Sequence, residues 1–471
     1  MTLDPQLVRQ FSNLVGEKNA LTPPLDLSRY TVENRGIFSG VTPLVLKPGS
    51  TREVAAIVRL AAETGTALVP QGGNTGHAAG ATPDMSNTQV VISMERMNAI
   101  RDIDLAGSTM TVEAGVILQT IQQMADENGL LFPLSLASQG SCQIGGNIST
   151  NAGGTAVLAY GNTRELVLGL EVVLPDGTIW NGLRKLKKDN TGYSLRNLFV
   201  GAEGTLGIVT AIVLKLFPKP AGREVVLAGL QTPSDALALL NMAQAIAGKA
   251  LTTFELMPRI GLDFVFRHVD GQRDPFGEPH PWYVLAEISS GRSQQDATGL
   301  AETIFGKAIE SGLVGDAVIA GSIARQRALW SIRETLPGAQ KPEGGSIKHD
   351  VSVPVHAVPE FLERAGEIIG EMLPGARVCA FGHMGDGNIH YNISQPVGGD
   401  EKQFLEHRLE VNDRIHALVL AMDGSISAEH GIGQMKREML AATKSAEELD
   451  LMRKIKAAID PLGIMNPGKL L

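Results

Sequence analysis

Three loops dense in glycine, asparagine, serine and threonine lie in the first half of this 471-residue chain. They read PQGGNTG at 70–76, ASQGSCQIGGNISTNAGGTAVLAYG at 137–161 and DNTGYSLRNLFVGAEGTLG at 189–207, and apolar runs typical of strands adjoin them. Glycine has no side chain and tolerates positive φ, so backbone N–H groups in such loops can approach a pyrophosphate closely. A single glycine pair is more often a tight turn, but three such loops in one half favour a site for a phosphate-bearing cofactor.

The first loop belongs to a strand, helix, strand pattern between residues 41 and 91. TPLVLKPGS and TALVPQGGNTG are typical of strands, and REVAAIVRLAAETG between them is typical of an amphipathic helix. The pattern lacks the G-x-G-x-x-G turn of nicotinamide dinucleotide sites and the G-x-x-x-x-G-K-[ST] of P-loops. The sequence therefore argues against NAD and P-loop chemistry.

Charge and cysteine content limit the classes of partner and compartment. The formal net charge is -9, which argues against nucleic acid or an anionic membrane face as the main partner. Only Cys142 and Cys379 occur, which argues against a disulfide framework and for a reducing compartment. The amino terminus does not resemble a signal peptide, and no run approaches the ~20 apolar residues of a membrane span. We therefore expect a cytoplasmic protein without a transmembrane segment.

The length of the chain predicts two or three domains. A long apolar strand ends at Pro218 and Pro220, where we place the first boundary. Strands then alternate with alanine-rich helices, followed by a strand-turn-strand at 378–394 and a long helix predicted over 400–422. SAEHGIG and a last helix ending at Ile459 come after it. We therefore predict domains at 1–220 and 221–422, and a C-terminal segment at 423–471.

The segment FGHMGDGNIHYN at 381–392 predicts a β-hairpin with a histidine on each strand. The turn former GDGN would pair Met384 with Ile389 and His383 with His390. Directly opposed side chains have Cβ atoms roughly 5 Å apart, and two imidazoles at that separation can converge on one ion at about 2.1 Å. Taken alone, the pair fits two solvated histidines on a surface hairpin equally well. Asp386 is better explained by turn chemistry than as a ligand.

A carboxylate and a third imidazole occur in SAEHGIG at 427–433. Glu429 and His430 stand next to glycines, which leave room for a ligand. Two histidines with one carboxylate are a common constellation for a divalent metal. The chain therefore offers the residue types of a metal site as well as those of a phosphate site.

Together with the terminal NPGK, the glycine loops resemble the FAD-binding half of the vanillyl-alcohol-oxidase superfamily, specifically its D-2-hydroxyglutarate and D-lactate dehydrogenase branch. The resemblance extends over nearly the whole chain. It implies an α+β fold with an FAD-binding domain of the p-cresol methylhydroxylase (PCMH) type, made of two α+β subdomains. The second domain would be an α+β substrate or cap domain with an antiparallel sheet, and it would carry the metal hairpin. The segment 423–471 would return to the flavin site.

The resemblance also implies which residues contact FAD. The pyrophosphate contacts come from the first loop and are Gly72, Gly73, Asn74, Thr75 and Gly76. The further contacts are Gly140, Ser141, Gly145, Gly146, Asn147, Thr150, Asn151, Gly153, Gly154 and Ile208, with Asn466 on the flavin side.

The flavin is expected to be non-covalent. Some relatives link it through a histidine in the first loop or a cysteine in the second. His77 lies past the place of that histidine, and Cys142 is offset from the linking cysteine. We expect Cys142 to be a small buried side chain instead.

The same resemblance implies a metal centre with a base beside it. In the family, the two histidines of HxGDGNxH and the glutamate of EHG bind the metal, usually zinc. The ligands here would be His383, His390 and Glu429, and His430 would act as the base.

Arg333, Lys348 and Asn392 match the substrate-binding residues of the family. An arginine fork suits a carboxylate, and a lysine adds a point charge. An isolated arginine on a helix is usually solvated, so this assignment depends on the resemblance. Pro337 stands where family members carry a threonine, and Thr335 lies two residues earlier, which puts the grip on the substrate in question.

The implied activity is an FAD-dependent dehydrogenase that oxidises a small D-2-hydroxy acid, of the D-2-hydroxyglutarate, D-malate or D-lactate type. The oxidation to the 2-oxo acid would be metal-assisted, with hydride transfer to flavin N5. Electrons would pass to an electron-transfer flavoprotein, a quinone or a cytochrome. The acid, the acceptor and the oligomeric state stay open, with a homodimer as one alternative. A glycolate oxidase-type subunit, or an electron-transfer subunit without its own turnover, are the competing interpretations, and the latter would not need a base at His430.

Overall fold

The computed structural model describes residues 3–23, 25 and 27–471. By its internal contacts the chain forms two units. The first comprises Met1–Gly153, Gly161–Pro218 and Glu429–Leu471, and the second comprises Gly154–Tyr160 and Lys219–Ala428. Both contain helices and sheets, so the predicted α+β class is confirmed.

The strands, in chain order, are β1 (Ala20–Leu21), β2 (Val45–Leu46), β3 (Leu68–Gln71), β4 (Val90–Ser93), β5 (Ile100–Asp104), β6 (Thr109–Glu113), β7 (Leu130–Leu131), β8 (Val167–Val173), β9 (Ile179–Gly182), β10 (Ile208–Lys215), β11 (Phe217–Pro218), β12 (Gly222–Leu230), β13 (Leu251–Pro258), β14 (Trp282–Ser290), β15 (Asp316–Ile319), β16 (Ser346–Ser352), β17 (Arg377–His383) and β18 (Asn388–Ser394).

The helices are α1 (Pro5–Val15), α2 (Ser28–Thr31), α3 (Thr51–Thr64), α4 (Leu118–Glu127), α5 (Ile144–Ser149), α6 (Val157–Tyr160), α7 (Thr163–Leu166), α8 (Arg196–Phe199), α9 (Pro233–Ala247), α10 (Arg259–His268), α11 (Gln294–Glu310), α12 (Ile323–Ala339), α13 (Val358–Met372), α14 (Glu401–Glu406), α15 (Arg408–Ala421), α16 (Arg437–Thr443) and α17 (Ala446–Ile459). Within the described residues, no helix has the length and apolar character that crossing a membrane requires.

The first unit contains two principal sheets. β1, β2, β4 and β3 form a four-stranded sheet in that order, in which β2 and β3 both run parallel to β4. Helix α3 connects β2 to β3 and explains the parallel direction. It begins where the Ser50 hydroxyl accepts the Glu53 N–H at 3.2 Å and ends at Gly65, whose φ of +65° suits glycine. The second sheet is antiparallel, with the order β5, β6, β10, β8, β9.

The second unit is built on one seven-stranded antiparallel sheet with the order β15, β12, β14, β13, β17, β18, β16. Helices α9, α11, α13 and α15 bury their apolar faces against one side of this sheet. Helices α10 and α12 cover the other side. β13 is the central strand, and every one of its residues is buried.

Two elements differ from the predicted ones. The helix expected over 400–422 is two helices, α14 and α15, because the single residue His407 interrupts the helical pattern between them. Residues 154–160, which the predicted first domain includes, pack with the second unit because Leu158 lies against its core. The units change over at Pro218 and Ala428, and the predicted domain limits at 220 and 422 stay predictions.

Candidate functional site

The first two glycine loops pack against each other in the first unit. A Cβ on Gly73 would lie 2.2 Å from the Ser141 carbonyl oxygen, so only glycine fits there. A Cβ on Gly145 would lie 2.7 Å from the Ala114 side chain. Neither position leaves room for a side chain, and the contact of Gly73 with Ser141 brings the backbones of the two loops together as a cofactor cradle requires.

A cavity of about 320 Å³ opens between these loops. This volume falls within the range of small-molecule pockets. Its cationic wall residue, Arg29, is paired with Glu95 at 2.5 Å, so backbone groups carry the anion-binding capacity. The cavity is lined by Arg29, Tyr30, Gly72, Gly73, Asn74, Ser93, Glu95, Ile117, Gly140, Ser141 and Gln143.

Three buried amide oxygens near the loops have no hydrogen-bond partner within the described residues. They are Oε1 of Gln143, Oδ1 of Asn147 and Oδ1 of Asn466. A buried polar atom without a partner is costly, and such atoms usually await a ligand or water. The hydroxyl and amide groups of FAD would satisfy them, so the residues present fit this cofactor.

Some predicted flavin contacts hold the loops themselves. Asn74 has a φ of +53° and donates through its amide to the carbonyls of Arg29 and Val32. Asn466 donates to the carbonyls of Gly80 and Glu203 at 2.9 and 2.7 Å. Side-chain contacts of this kind fix loop shape, which sequence motifs cannot distinguish from ligand contacts.

The other predicted flavin contacts also lie in or beside the loops. Thr150 donates to the Gly146 carbonyl at 3.1 Å, Asn151 accepts the Arg164 N–H at 3.0 Å, and Ile208 is buried at the start of β10. Cys142 is buried, and burial raises the pKa of its thiol. The remaining members are Thr75, Gly76, Gly153 and Gly154, and Gly154 is the first residue of the second unit's short segment.

The predicted base lies in the first unit beside another imidazole. The rings of His430 and His77 stack with centroids 4.8 Å apart. The turn after His430 is anchored by the buried Glu203 carboxylate, which accepts the N–H groups of Ile432 and Gly433 at 2.7 Å each. Burial raises the pKa of Glu203, and the two amide hydrogen bonds oppose that shift. Glu203 was not predicted, although an acid inside the glycine-rich string VGAEGTLG is a visible signal.

The hairpin of the second unit has a different register from the predicted one. His383 pairs with Asn388 and Phe381 pairs with His390, so the predicted His383–His390 pairing is wrong. The connection consists of residues 384–387 and lies one residue earlier than the predicted four-residue turn at 385–388, because β17 ends at His383 and β18 begins at Asn388. The two histidines are diagonal neighbours on the same face, with ring centroids 5.6 Å apart.

A buried carboxylate joins the predicted substrate arginine to the first histidine. Oε1 of Glu255 lies 2.5 Å from Nδ1 of His383, and Oε2 accepts from Nε of Arg333 at 2.8 Å. Glu255 is fully buried. Burial alone would raise the pKa of Glu255, but the charges and hydrogen bonds of His383 and Arg333 outweigh it and lower the pKa to about 2. Glu255 was missed in the sequence, where a lone acid in the apolar string LTTFELMP marks it.

Arg333 is buried and is also covered by an aromatic ring. It projects from α12, and its side chain is 8% exposed. The guanidinium carbon lies 4.8 Å from the centroid of the Phe381 ring. In the described part of the chain, Nε is the only one of its nitrogens with a hydrogen-bond partner. Nη1 and Nη2 therefore remain as donors for a carboxylate.

The second histidine also stands beside a carboxylate. Nδ1 of His390 lies 3.8 Å from Oδ1 of Asp350, its cross-strand partner. Asp350 is buried and accepts from the Asn388 amide at 3.0 Å. Asp386 accepts the Asn388 N–H at 3.0 Å, as expected of a turn residue.

Lys348 and Asn392 form one row across the sheet with Cys379. Asn392 pairs with both, in β16 and β17 respectively. Lys348 is exposed, whereas Asn392 is buried and donates to Oε1 of Gln340 at 3.1 Å. Burial raises the pKa of the Cys379 thiol to about 12, against the opposing charges of Arg333 and Lys348. Both cations therefore act on this part of the sheet face.

Pro337 lies inside α12, near its end at Ala339. The Thr335 hydroxyl donates to the Ser331 carbonyl at 2.6 Å, so it is bound to its own helix. The predicted residues are divided between the units, with the glycine loops up to Gly153, Glu429 and His430 in the first unit. Arg333, Lys348, His383, His390 and Asn392 lie in the second.

Two family descriptions match the chain. Residues 42–182 match "FAD binding domain", and residues 219–470 match "FAD linked oxidases, C-terminal domain". The second match covers more than half of the chain. The glycine loops up to Gly161 fall within the first match, and the histidine hairpin falls within the second.

Curated relatives match over nearly the full length. A D-2-hydroxyglutarate dehydrogenase of Xanthomonas citri pv. viticola is 40% identical, covering 95% of this chain and 93% of the relative. One of Stutzerimonas stutzeri is 37% identical, covering 99% of both. Among solved structures, p-cresol methylhydroxylase with substrate bound superimposes with a TM-score of 0.76 at 16% identity, over 99% of this chain and 96% of that one. The last likeness concerns the fold, and it confirms the predicted PCMH-type architecture.

Proposed function

The chain belongs to the family of FAD-linked oxidases, and on that premise we propose that it oxidises a D-2-hydroxy acid, of the D-2-hydroxyglutarate type, to the 2-oxo acid. The family makes it an FAD-linked oxidoreductase, so FAD as a cofactor and the predicted enzyme class are confirmed. The substrate class is supported by the names of the relatives. The proposal includes the division into an FAD-binding domain at 1–220, a cap domain at 221–422 and a C-terminal segment at 423–471.

The observation that carries the proposal is the cluster around Glu255. It holds Arg333, whose Nη1 and Nη2 are left for a carboxylate, beside His383. An arginine fork binds a carboxylate in two parallel hydrogen bonds and so orients it. With Lys348 on the same sheet face, the chain has charges suited to an acid substrate. Positioning of this kind carries much of the rate of a two-centre reaction.

His383, His390 and Glu429 would hold a divalent metal. The fit is supported within the second unit, where the two imidazole rings meet edge to face with centroids 5.6 Å apart and each stands beside a buried carboxylate. The Ala428 N–H donates to the Asp350 carbonyl at 3.3 Å, and Glu429 is the next residue in the chain. When bound there, zinc or a similar ion would lower the pKa of a coordinated hydroxyl.

His430 would take the hydroxyl proton. A neutral imidazole is the usual general base near neutral pH. Its ring is supported by stacking on His77, and the turn behind it is anchored by Glu203. FAD, when bound in the loops, supplies flavin N5 as the hydride acceptor. Electrons would leave through an electron-transfer flavoprotein, a quinone or a cytochrome.

A panel of D- and L-2-hydroxy acids with an artificial electron acceptor tests the proposal. D-2-hydroxyglutarate, D-malate, D-lactate and glycolate should be compared, each with its L enantiomer where one exists. We expect turnover with D-2-hydroxyglutarate and none with its enantiomer. Preference for glycolate would favour a glycolate oxidase-type subunit, and no turnover with any acid would favour an electron-transfer subunit without its own activity.

A further inference from the structure

We propose that Glu255 is a positioning residue that fixes the substrate-binding arginine and a metal-binding histidine relative to each other. This inference rests on the proposed function of the site. The inference is based on the Glu255 carboxylate, each of whose two oxygens binds a different side chain. Oε2 accepts from Arg333 Nε at 2.8 Å, and Oε1 lies 2.5 Å from His383 Nδ1.

The surroundings make this carboxylate rigid. Glu255 lies in β13, the central strand, and is 0% exposed. His383 is its cross-strand partner in β17, so the backbone itself sets the distance between them. The next residue on the same face is Met257, which belongs to the core under α10 and α12. An acid in such a place is tolerated because both partners bind it, and it has no room to turn away.

On the histidine, Glu255 selects the nitrogen that faces a metal. A carboxylate accepts hydrogen bonds, so His383 must carry its proton on Nδ1. The lone pair is then on Nε2, which becomes the metal-binding atom. Carboxylates behind metal-binding histidines fix the ring and raise its basicity in this way.

On the arginine, Glu255 fixes the direction of the fork. It binds Nε alone, and Phe381 covers the guanidinium at 4.8 Å. The two Nη groups are consequently aimed as a pair, which is what a two-bond contact to a carboxylate needs. One buried carboxylate would thus fix the positions of both the substrate carboxylate and the metal.

The test is Glu255→Gln in the FAD-loaded protein, with zinc affinity measured by competition against a chelator. We expect the affinity for zinc to fall by about 10- to 100-fold. In metal-saturated protein, the KM for D-2-hydroxyglutarate should rise by about tenfold, because Arg333 loses its anchor. Glu255→Asp keeps the charge and should recover part of both losses. It also replaces Glu255→Gln if that variant does not fold.

Glu224→Gln is the matched control. Glu224 is another buried acid of the same sheet, in β12, and it accepts from the Gly321 N–H and the Thr298 hydroxyl. The Glu224→Gln substitution should lower the melting temperature of the protein without changing its zinc affinity or its KM for D-2-hydroxyglutarate. Equal losses in both glutamine variants would overturn the proposal, because they would report general loosening of the sheet.

Wild-type zinc affinity and KM in Glu255→Gln would also overturn it. Failure of the proposed function gives a separate signal, because the zinc measurement needs no substrate. If no D-2-hydroxy acid reduces the wild-type flavin, the proposed function and the KM arm fail. A loss of zinc affinity confined to Glu255→Gln would still support the positioning of His383.

Discussion

Arg333 shows how a side chain can be predicted by motif and yet owe its role to a residue that the motif does not contain. The family resemblance assigned substrate binding to this arginine but not the residues that hold it. The structure adds Glu255 and Phe381, which together remove its freedom to rotate. A buried arginine with one paired nitrogen holds its guanidinium in one orientation, unlike a solvated arginine on a helix surface.

Arg333→Lys should therefore reduce kcat/KM by about 10- to 100-fold, as expected for loss of a charged hydrogen-bonded contact. Lysine has one nitrogen and cannot bind Glu255 and a substrate carboxylate as a fork does. Arg327→Lys, at an exposed position of the same helix, is the control and should leave the ratio unchanged. Steady-state kinetics with D-2-hydroxyglutarate decide it, and an unchanged ratio in Arg333→Lys would remove this residue from the site.

Lys469 predicts a pH dependence of stability. It is buried, and burial lowers its pKa from 10.5 to about 8. Because the folded-state pKa is below the unfolded one, the protonated amine costs stability, fully so below pH 8. The cost disappears as pH rises towards 10.5.

Lys469→Met should consequently raise the free energy of unfolding at pH 7 by about 2 to 3 kcal/mol. The gain should shrink through the window from pH 8 to 10.5. Urea unfolding of the FAD-loaded proteins at pH 7 and pH 10 measures it. A gain that is the same at both pH values would mean that packing, and not the charge, distinguishes the two side chains.

At the scale of elements, the sequence predicted those helices whose ends are set by local capping and apolar spacing. Helix α3 and helix α17, which ends at Ile459 as expected, follow from their caps and apolar spacing. The hairpin was predicted with both histidines on one face, but its register was wrong. The turn occupies residues 384–387, one residue earlier than the predicted GDGN at 385–388, and local sequence does not fix where two strands stop pairing. The contact of Glu255 with Arg333 depends on how α12 lies on the sheet, which no local pattern encodes.

Gly387→Ala tests the turn that separates the two histidines. Gly387 has a φ of +82°, and a Cβ there would lie 2.0 Å from the Val353 carbonyl oxygen. We expect the free energy of unfolding to fall by more than about 2 kcal/mol, with a weaker affinity for zinc. Gly398→Ala, with a φ of +74° and open space around it, should cost only about 1 kcal/mol and leave zinc binding intact. Equal costs in chemical denaturation would show that the turn is not constrained as described.

At the scale of the whole molecule, the chemistry is divided along the chain. The first unit carries the glycine loops, except residues 154–160, and the predicted base, and the second carries the arginine and both histidines. The glycine loops were predictable because a phosphate-bearing cofactor demands small residues at fixed places. The buried carboxylates Glu203, Glu255 and Asp350 were not predicted. The strings around Glu203 and Glu255 mark these two acids as unusual, but the partners of all three are distant in sequence.

The flavin should leave the denatured protein. Cys142 is buried, with a raised thiol pKa, and His77 stacks on His430, so neither is presented as a linking nucleophile. Acid precipitation should therefore release FAD into the supernatant, where its absorbance can be compared with that of the native protein. Yellow colour retained in the pellet would contradict the expectation of non-covalent binding.

The most direct measurement is the rate of anaerobic flavin reduction by D-2-hydroxyglutarate, recorded together with metal content. Chelated protein and His383→Ala should lose the metal and reduce their flavin slowly, with the flavin spectrum nearly unchanged. His430→Ala should keep the metal and slow the reduction by about 10² to 10⁴, the usual range for a general base. Full-rate reduction in chelated protein, or loss of the metal in His430→Ala, would contradict the account.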